Sequence, residues 1–390
     1  MQRHLRNIIA IILFALSLKP LSGMGLSDSA RISLLTCSRG DELYSCFGHS
    51  GIRVTDYRQG FDMVFNYGTF DFNQPNFYLN FCRGHMIYML GVDRFDDFYN
   101  QYIYEQRDIY EQELNLSEED RIAIFNFLVY NAQEQNRNYR YDFLFDNCAT
   151  RIRDVFDKNL PGRIKFDYST FTEKKSFRDL INDYSDDHPW EQFGMGILIG
   201  LPVDKQATPA QMCFLPDYLS RAFAHASIDG KNLCNPTRKI LTAQVPKTEK
   251  TLDQIYNPTL IFGILLLLIA GITALEIKKN KHFYGIDFVL LFIGGLLGTL
   301  FFTLWFFTEH TTTAWNLNLI WAWPNHLVLA FVILFARKKN WVRTYFLAST
   351  ILCLIMVISW KLLPQQFLLA NIFIAAIYGL RGYSIYRAPK

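Results

Sequence analysis

Between residues 258 and 390 the chain holds only three acidic residues, Glu276, Asp287 and Glu309, against eleven basic ones. Five apolar stretches run through this region, at about 259–276, 286–307, 319–336, 345–360 and 366–380. Most approach the roughly 20 residues that carry a helix across a bilayer core; the fourth and fifth are shorter. Nothing else in the sequence constrains the fold as tightly, because in lipid every backbone polar group must be satisfied within the span. The connecting charges alternate. "KKNK" (278–281), "RKKNWVR" (337–343) and the tail with Arg381, Arg387 and Lys390 are basic, whereas "TEHTTTAWNLN" (308–318) and "KLLPQQ" (361–366) are nearly free of positive charge. The positive-inside rule places the basic loops and the C-terminus in the cytoplasm.

The preceding region has the opposite character. Residues 26–257 carry 25 Lys and Arg against 33 Asp and Glu. No basic stripe is present, so nucleic acid is not an expected partner. The chain opens on a positive "MQRHLRN", an apolar "IIAIILFALSL" (8–18) and the small residues Gly23 and Gly25, the pattern of a secretory signal. Cleaved after Gly25 or kept as an anchor, it exports the region from residue 26 to the first span, and an odd number of later spans agrees with that topology. The expected division is a signal peptide at 1–25, an exported domain at 26–250 and a membrane domain at 251–390.

Six of the seven cysteines lie on the exported side, where disulfides are allowed, and Cys213 with Cys234, or Cys37 with Cys46, are candidate pairs. "RISLLTC" (31–37), "HSGIRVTD" (49–56) and "DMVFNYG" (62–68) read as strands, the second alternating so that Ser50, Ile52 and Val54 share a face. "LSEEDRIAIFNFLVYNAQEQ" (116–135) reads as a helix capped by Ser117, with Ile122, Phe125, Leu128 and Ala132 at helical spacing. Residues 208–226 read as helical, interrupted at Pro216, and 246–258 as a polar linker into the membrane.

The stretch "YDFLFDNCATRIRDVF" (141–156) carries the chemistry. Ala149, Ile152, Val155 and Phe156 form one helical face, and Asp146 or Asn147 is a natural N-cap. Cys148 then stands in the first turn, where the helix dipole favours thiolate over thiol. A buried structural cysteine is the competing reading. A nucleophile needs a base, and His49 in "CFGHSGIRV" and His85 in "RGHMIY" are the upstream candidates, His49 being better placed on a probable strand beside two glycines. A polar residue should orient the imidazole through its other nitrogen, and Asn66 in "VFNYGTF" is the candidate for it. HExxH is absent and the His and Cys positions show no zinc spacing, so neither a metal nor a cofactor is expected.

The order of a histidine on a strand, a polar residue on the next, and a cysteine at a helix start resembles a circularly permuted papain-like fold. "GHSGIRV" followed by "DNCATR" resembles the permuted relatives of NlpC-type peptidases, lecithin:retinol acyltransferase among them. "LLTCSRGDELYSCFGHSGIRV", "FNYGTFDF", "YDFLFDNCATRIRD", "MCFLPDYL" and the later "FTEHTTTAWNLNLIW" together resemble the Lnb-type lipoprotein N-acyltransferases of Bacteroidota, over nearly the whole mature chain. Cys46, just before "FGHS", departs from the expected pattern.

The resemblance implies an α+β permuted papain-like periplasmic domain followed by an all-α membrane bundle of about five transmembrane helices. It implies Cys148 as nucleophile and His49 as base, in the inner membrane with the catalytic domain in the periplasm. An acyl chain would pass from a membrane phospholipid, through a thioester, to the N-terminal cysteine amine of a diacylglyceryl lipoprotein. Arg151 is then a candidate for a donor phosphate or for a pairing with Asp146, and His310 and Asn316 for contacts to a headgroup or the acceptor amine, with Glu309 more simply an ordinary loop residue. Two other functions fit the same residues: a membrane-anchored papain-like thiol hydrolase acting on cell-wall peptides or phospholipid esters, and a non-enzymatic membrane sensor or scaffold.

Overall fold

The computed structural model describes residues 25–71, 74–243, 252–336 and 338–388. The signal segment, apart from Gly25, and the first part of the linker before the membrane domain, up to residue 251, lie outside the described residues.

The exported part is built on a seven-stranded antiparallel sheet. Its strands are β1 (Arg31–Cys37), β2 (His49–Asp56), β3 (Phe61–Thr69), β4 (Ile87–Arg94), β5 (Ile109–Glu113), β6 (Asn138–Arg140) and β7 (Arg238–Leu241). Their spatial order is β7–β5–β1–β2–β3–β4–β6. The first three match the strands expected from sequence. The alternation of β2 does not end in a solvated face, however, because β2 is central and almost wholly buried. Ile52 and Val54 join the main core, while Leu35, Val64 and Ile109 face a second, smaller core under helix α2 (Phe95–Tyr104). Arg53, on that second side, is buried against Asp62 and Glu111 and lies over the Phe95 ring.

The main core is closed by α3 (Glu118–Asn131) and α4 (Cys148–Asn159). Ser117 and Asp120 form a capping box at the start of α3, worth about 1 kcal/mol for the cap residue. The inward stripe of α3 is Ile124, Phe125 and Leu128 rather than one including Ile122, a small rotation of the expected face. The short helix α1 (Phe77–Arg83) precedes β4. After α4 come α5 (Phe177–Tyr184), α6 (Pro189–Leu198) and α7 (Pro216–Ala224). The helical stretch 208–226 is interrupted as expected: a single turn, Pro209–Met212, stops short, and Pro216 begins α7, as suits a residue without an N–H to donate.

Neither candidate disulfide, Cys213–Cys234 or Cys37–Cys46, is formed. All seven cysteines are free. The Cys213 thiol bonds the Pro209 and Tyr218 carbonyls, and that of Cys46 the Leu43 carbonyl, so each of these two buried thiols has a local acceptor.

The C-terminal part is all helical: α8 (Pro258–Lys279), α9 (Tyr284–Phe306), α10 (Asn325–Ala336), α11 (Asn340–Ser359) and α12 (Leu369–Arg387). Among the described residues four segments are long and apolar enough to cross a membrane, the third running from Leu317 to Ala336. The fifth helix, α12, is less apolar because its neighbours are other helices. It buries Asn371, Arg381 and Ser384, and Arg381 bonds Glu276, Asp287 and Thr273. An intramembrane charge survives when it is paired inside the bundle in this way. Along α9, Gly294 faces Tyr378 of α12, while Gly295 and Gly298 allow the chain around Leu327 and Ala322 to approach closely, the small-residue packing that membrane helices favour.

Candidate active site

Cys148 is the first residue of α4, and Asn147 is the cap. Asn147 Oδ1 accepts from the Ala149 and Thr150 amides, both at 3.0 Å, and Thr150 Oγ1 accepts from the Asn147 amide at 2.8 Å. The Asn147 side-chain amide donates to the carbonyls of Phe143 and Phe214. The cap is therefore locked to two separate segments, and the thiol's position is set by α4 as a rigid body rather than by a loop. The Cys148 amide takes no part in this cap.

His49, the first residue of β2, hydrogen-bonds the thiol. Its Nε2 bonds Asn66 Oδ1 from the adjacent strand β3. That bond puts the ring proton on Nε2 and leaves Nδ1 for the sulfur. Asn66 in turn donates through Nδ2 to Asp93 on β4 at 3.4 Å. Three neighbouring strands and one helix start thus bring Cys148, His49 and Asn66 together, with Asp93 behind them. Asp93 lies on a strand that the sequence pattern did not mark, and nothing local to it signals the role.

The electrostatics of the pair are reciprocal. Burial alone would raise the Cys148 thiol and lower the His49 imidazole. Their mutual charge and hydrogen bond outweigh this, with help for the sulfur from the Ser50 and Ala149 amides and for the ring from Asn66. The thiol is held below its ordinary range and the imidazole above its own, which favours a thiolate–imidazolium pair. The other buried cysteines show the contrast. Burial pushes Cys37 and Cys213 each up to about 12, because neither has a charged partner as close. Gly68, with φ +92°, borders the pair: a β-carbon there would stand 3.4 Å from Cys148 Cβ and 3.9 Å from His49 Cε1.

The pair opens into a cleft of about 1040 Å³, at the upper end of the range for small-molecule sites. Aromatic rings form part of its wall, with Tyr88 and Tyr141 stacked at 4.2 Å and Phe47 set edge-on to Phe143 at 4.8 Å, beside polar and charged groups such as Asp93, Arg107 and Asp142. One wall comes from the other half of the protein: Glu309, His310, Thr311 and Thr312, in the loop after α9, line the same cleft. Glu309 pairs with His85 and Arg140, and its amide donates to the Arg83 carbonyl at 2.9 Å. Gly84 makes this contact close: a β-carbon there would lie 2.8 Å from the His310 nitrogen. A second dock lies at Gly200, whose amide donates to the Thr312 carbonyl and whose absent side chain leaves room for Ala314. The loops expected on the exported side, 308–318 and 361–366, are the ones that meet the exported domain.

The three expected substrate contacts differ in placement. His310 lines the cleft, its Nε2 donating to the Phe81 carbonyl at 2.9 Å. Arg151 is bidentate to Asp146 and lies over the Tyr139 ring at 3.9 Å, so its charge is already paired within the domain. Asn316 is outside the cleft. It is 1% exposed, donates to the carbonyls of Ile197 and Leu198, and accepts from the Asn318 amide. It fastens the membrane domain to the end of α6 and has no free group for a substrate. His85, the other candidate base, pairs with Glu309. Glu309, read from sequence as an ordinary loop residue, is instead the centre of the contact between the two halves.

No curated protein and no solved structure matches the chain. Two family models do, in non-overlapping segments. The Lnb N-terminal periplasmic domain matches residues 26–182, and the Lnb transmembrane domain matches residues 249–389. The first match contains Cys148, His49, Asn66 and Asp93; the second contains all five membrane-domain helices up to Ala388. With both domains present in order, this is a membrane protein with a periplasmic domain, and it belongs to the Lnb family.

Proposed function

We propose that this protein is an inner-membrane lipoprotein N-acyltransferase that works through a Cys148 thioester. One observation carries the reading: a polarised Cys–His–Asn arrangement faces a large cleft, partly lined by aromatic rings, and one wall of that cleft is a loop of the membrane domain. A thiol site walled in this way is positioned for substrates whose tails stay in lipid.

In the first half-reaction the Cys148 thiolate attacks an ester carbonyl of a phospholipid. The carbon–sulfur bond forms, the carbon–oxygen bond breaks, and His49 gives its proton to the departing lysophospholipid oxygen. The Cys148 amide, free of the helix cap, is placed to donate to the oxyanion, and the helix start adds its dipole. In the second half-reaction the α-amine of an N-terminal diacylglyceryl cysteine attacks the thioester. The amide bond forms, the carbon–sulfur bond breaks, and the amine's proton passes to His49, restoring the ion pair. Asn66 keeps the imidazole in the tautomer both steps need.

The test is mass spectrometry of a diacylglyceryl lipopeptide incubated with the full-length protein and phospholipid. Gain of one acyl chain on the peptide amine, lost in Cys148→Ala and His49→Ala, is expected. Free fatty acid without acylated peptide would reassign the protein as a hydrolase, and full activity in Cys148→Ala would overturn the nucleophile.

A further inference from the structure

Helix α1 is small, exposed and unusually apolar for the surface of an exported domain. Tyr78 is 74% exposed, Leu79 48% and Phe81 49%, with Cys82 and Arg83 also exposed beside them. Its height above the membrane helices is fixed by direct bonds. The Glu309 amide donates to the Arg83 carbonyl, and His310 Nε2 donates to the Phe81 carbonyl. Glu309 and His310 lie between two exposed aromatics, Phe307 at the end of α9 and Trp315. Trp315 packs on Trp305 of α9 at 4.9 Å. Exposed tryptophans at the end of a membrane helix mark the level of the lipid headgroups. The carbonyls of α1 are bonded to the chain between these markers, so α1 lies at that same level.

We propose that α1 is an interfacial element resting in the periplasmic leaflet, with Tyr78 and Leu79 among lipid and Arg83 at the phosphates. The end of α9 beside this loop is exposed and aromatic too, at Phe302, Phe306 and the following Phe307. The side chains of α1 fit a lipid surface: aromatic and aliphatic groups with one flanking guanidinium, the composition that seats a helix in a headgroup layer. Phe81 also lines the cleft. The cleft's margin at α1 is therefore bounded by lipid rather than water, and acyl chains pass from the leaflet over Phe81 toward Cys148. This last step rests on the acyl-transfer reading; the placement of α1 does not.

Cys82 makes the placement measurable, because it is the exposed cysteine among the seven. A nitroxide on Cys82, in full-length Cys148→Ser protein in phosphatidylethanolamine–phosphatidylglycerol nanodiscs, should be relaxed by oxygen and shielded from a water-soluble nickel chelate. A label at Tyr57→Cys in a Cys82→Ser background, on the 74% exposed turn at the far end of β2, should show the reverse. Equal nickel access at both sites would overturn the proposal. So would shielding of the Cys82 label from both probes, since that signals a protein partner or a second copy on α1. A second measurement addresses lipid access. Tyr78→Asp with Leu79→Asp should cut turnover of vesicle-embedded donor at least tenfold and leave the rate of Cys148 alkylation by iodoacetamide unchanged. Unchanged turnover would overturn the access route. If the wild type turns over no lipid, the acyl-transfer reading fails and the nitroxide data still decide where α1 lies.

Discussion

Substituting alanine at Gly84 tests whether the membrane domain is docked rigidly on the periplasmic domain. Gly84 has φ +80° and ends α1. Two costs arise from the geometry. An L-residue in left-handed backbone loses about 1–2 kcal/mol. The new β-carbon would also stand 2.8 Å from the His310 nitrogen and 2.9 Å from the Glu309 carbonyl carbon, both backbone atoms that cannot swing aside. The loop must retreat, giving up the Glu309–Arg83 and His310–Phe81 hydrogen bonds, each with a net worth of about 0.5–1.5 kcal/mol. Gly60 separates the two costs, since it has φ +65° and no atom within 4 Å of its would-be β-carbon. Gly60→Ala should carry the backbone strain alone, and Gly84→Ala roughly 1–3 kcal/mol more at the dock. Hydrogen exchange at the Glu309 amide reads that difference. It should speed up by about 5- to 160-fold in Gly84→Ala relative to the wild type, at tenfold per 1.36 kcal/mol. It should hardly change in Gly60→Ala. Equal exchange in the two variants would refute rigid docking, and with it the view that the loop is a fixed wall of the cleft.

The charge state of the Cys148–His49 pair gives a pH profile. The thiol is depressed and the imidazole raised, so the ion pair is populated between the two apparent values, which belong to the pair jointly. Thiol alkylation should rise with pH through the depressed thiol value, and acyl transfer should fall again as the raised imidazole loses its proton. His49→Ala should move the alkylation curve to higher pH, because burial is then opposed only by backbone amides, and should cost transfer on the order of 10²- to 10⁴-fold. Asn66→Ala removes one orienting hydrogen bond to His49 and should lower kcat by up to roughly tenfold while the folded state persists, measured by turnover beside thermal unfolding. In the membrane domain, Arg381→Ala leaves Glu276 and Asp287 buried without their guanidinium, and should destabilise by roughly 3–5 kcal/mol in detergent unfolding. Lys361→Ala, on an exposed loop, should stay within about 0.5 kcal/mol.

What could be read from the sequence is what local physics dictates. Cys148 stood out because a cap, an amphipathic period and a helix dipole all act within about ten residues, and α4 begins where those signals place it. β1, β2 and β3 were legible because each carries its own apolar pattern, and they succeed one another in the chain and pair as neighbours. The spans were legible because lipid leaves few alternatives, and α12 was the weakest of them because helices rather than lipid surround it. The parts missed are long-range. β7 pairs with β5 from more than a hundred residues away, and Glu309 meets His85 across 224 positions. Asp93 reaches Asn66 only through the register of β4, a strand with no sharp alternation. Asn316 looked like a substrate contact because a polar residue in a periplasmic loop usually faces water, and only the packing shows its amide consumed by the end of α6.

That division bears on how the site works. The residues that polarise the thiol come from one continuous stretch, 49–148, and are set by strand register and a helix cap. One wall of the cleft, Glu309 to Thr312, is set by contact between the two halves at Gly84 and Gly200. The periplasmic domain therefore holds the full Cys–His–Asn arrangement, whereas the surroundings that would select a lipid substrate are completed only by the docked membrane loop. A change at the dock should then leave thiol alkylation almost untouched and act on transfer. A change at Asn66 or His49 should alter both, and that pattern separates the part of the protein that makes the nucleophile from the part that presents the substrate to it.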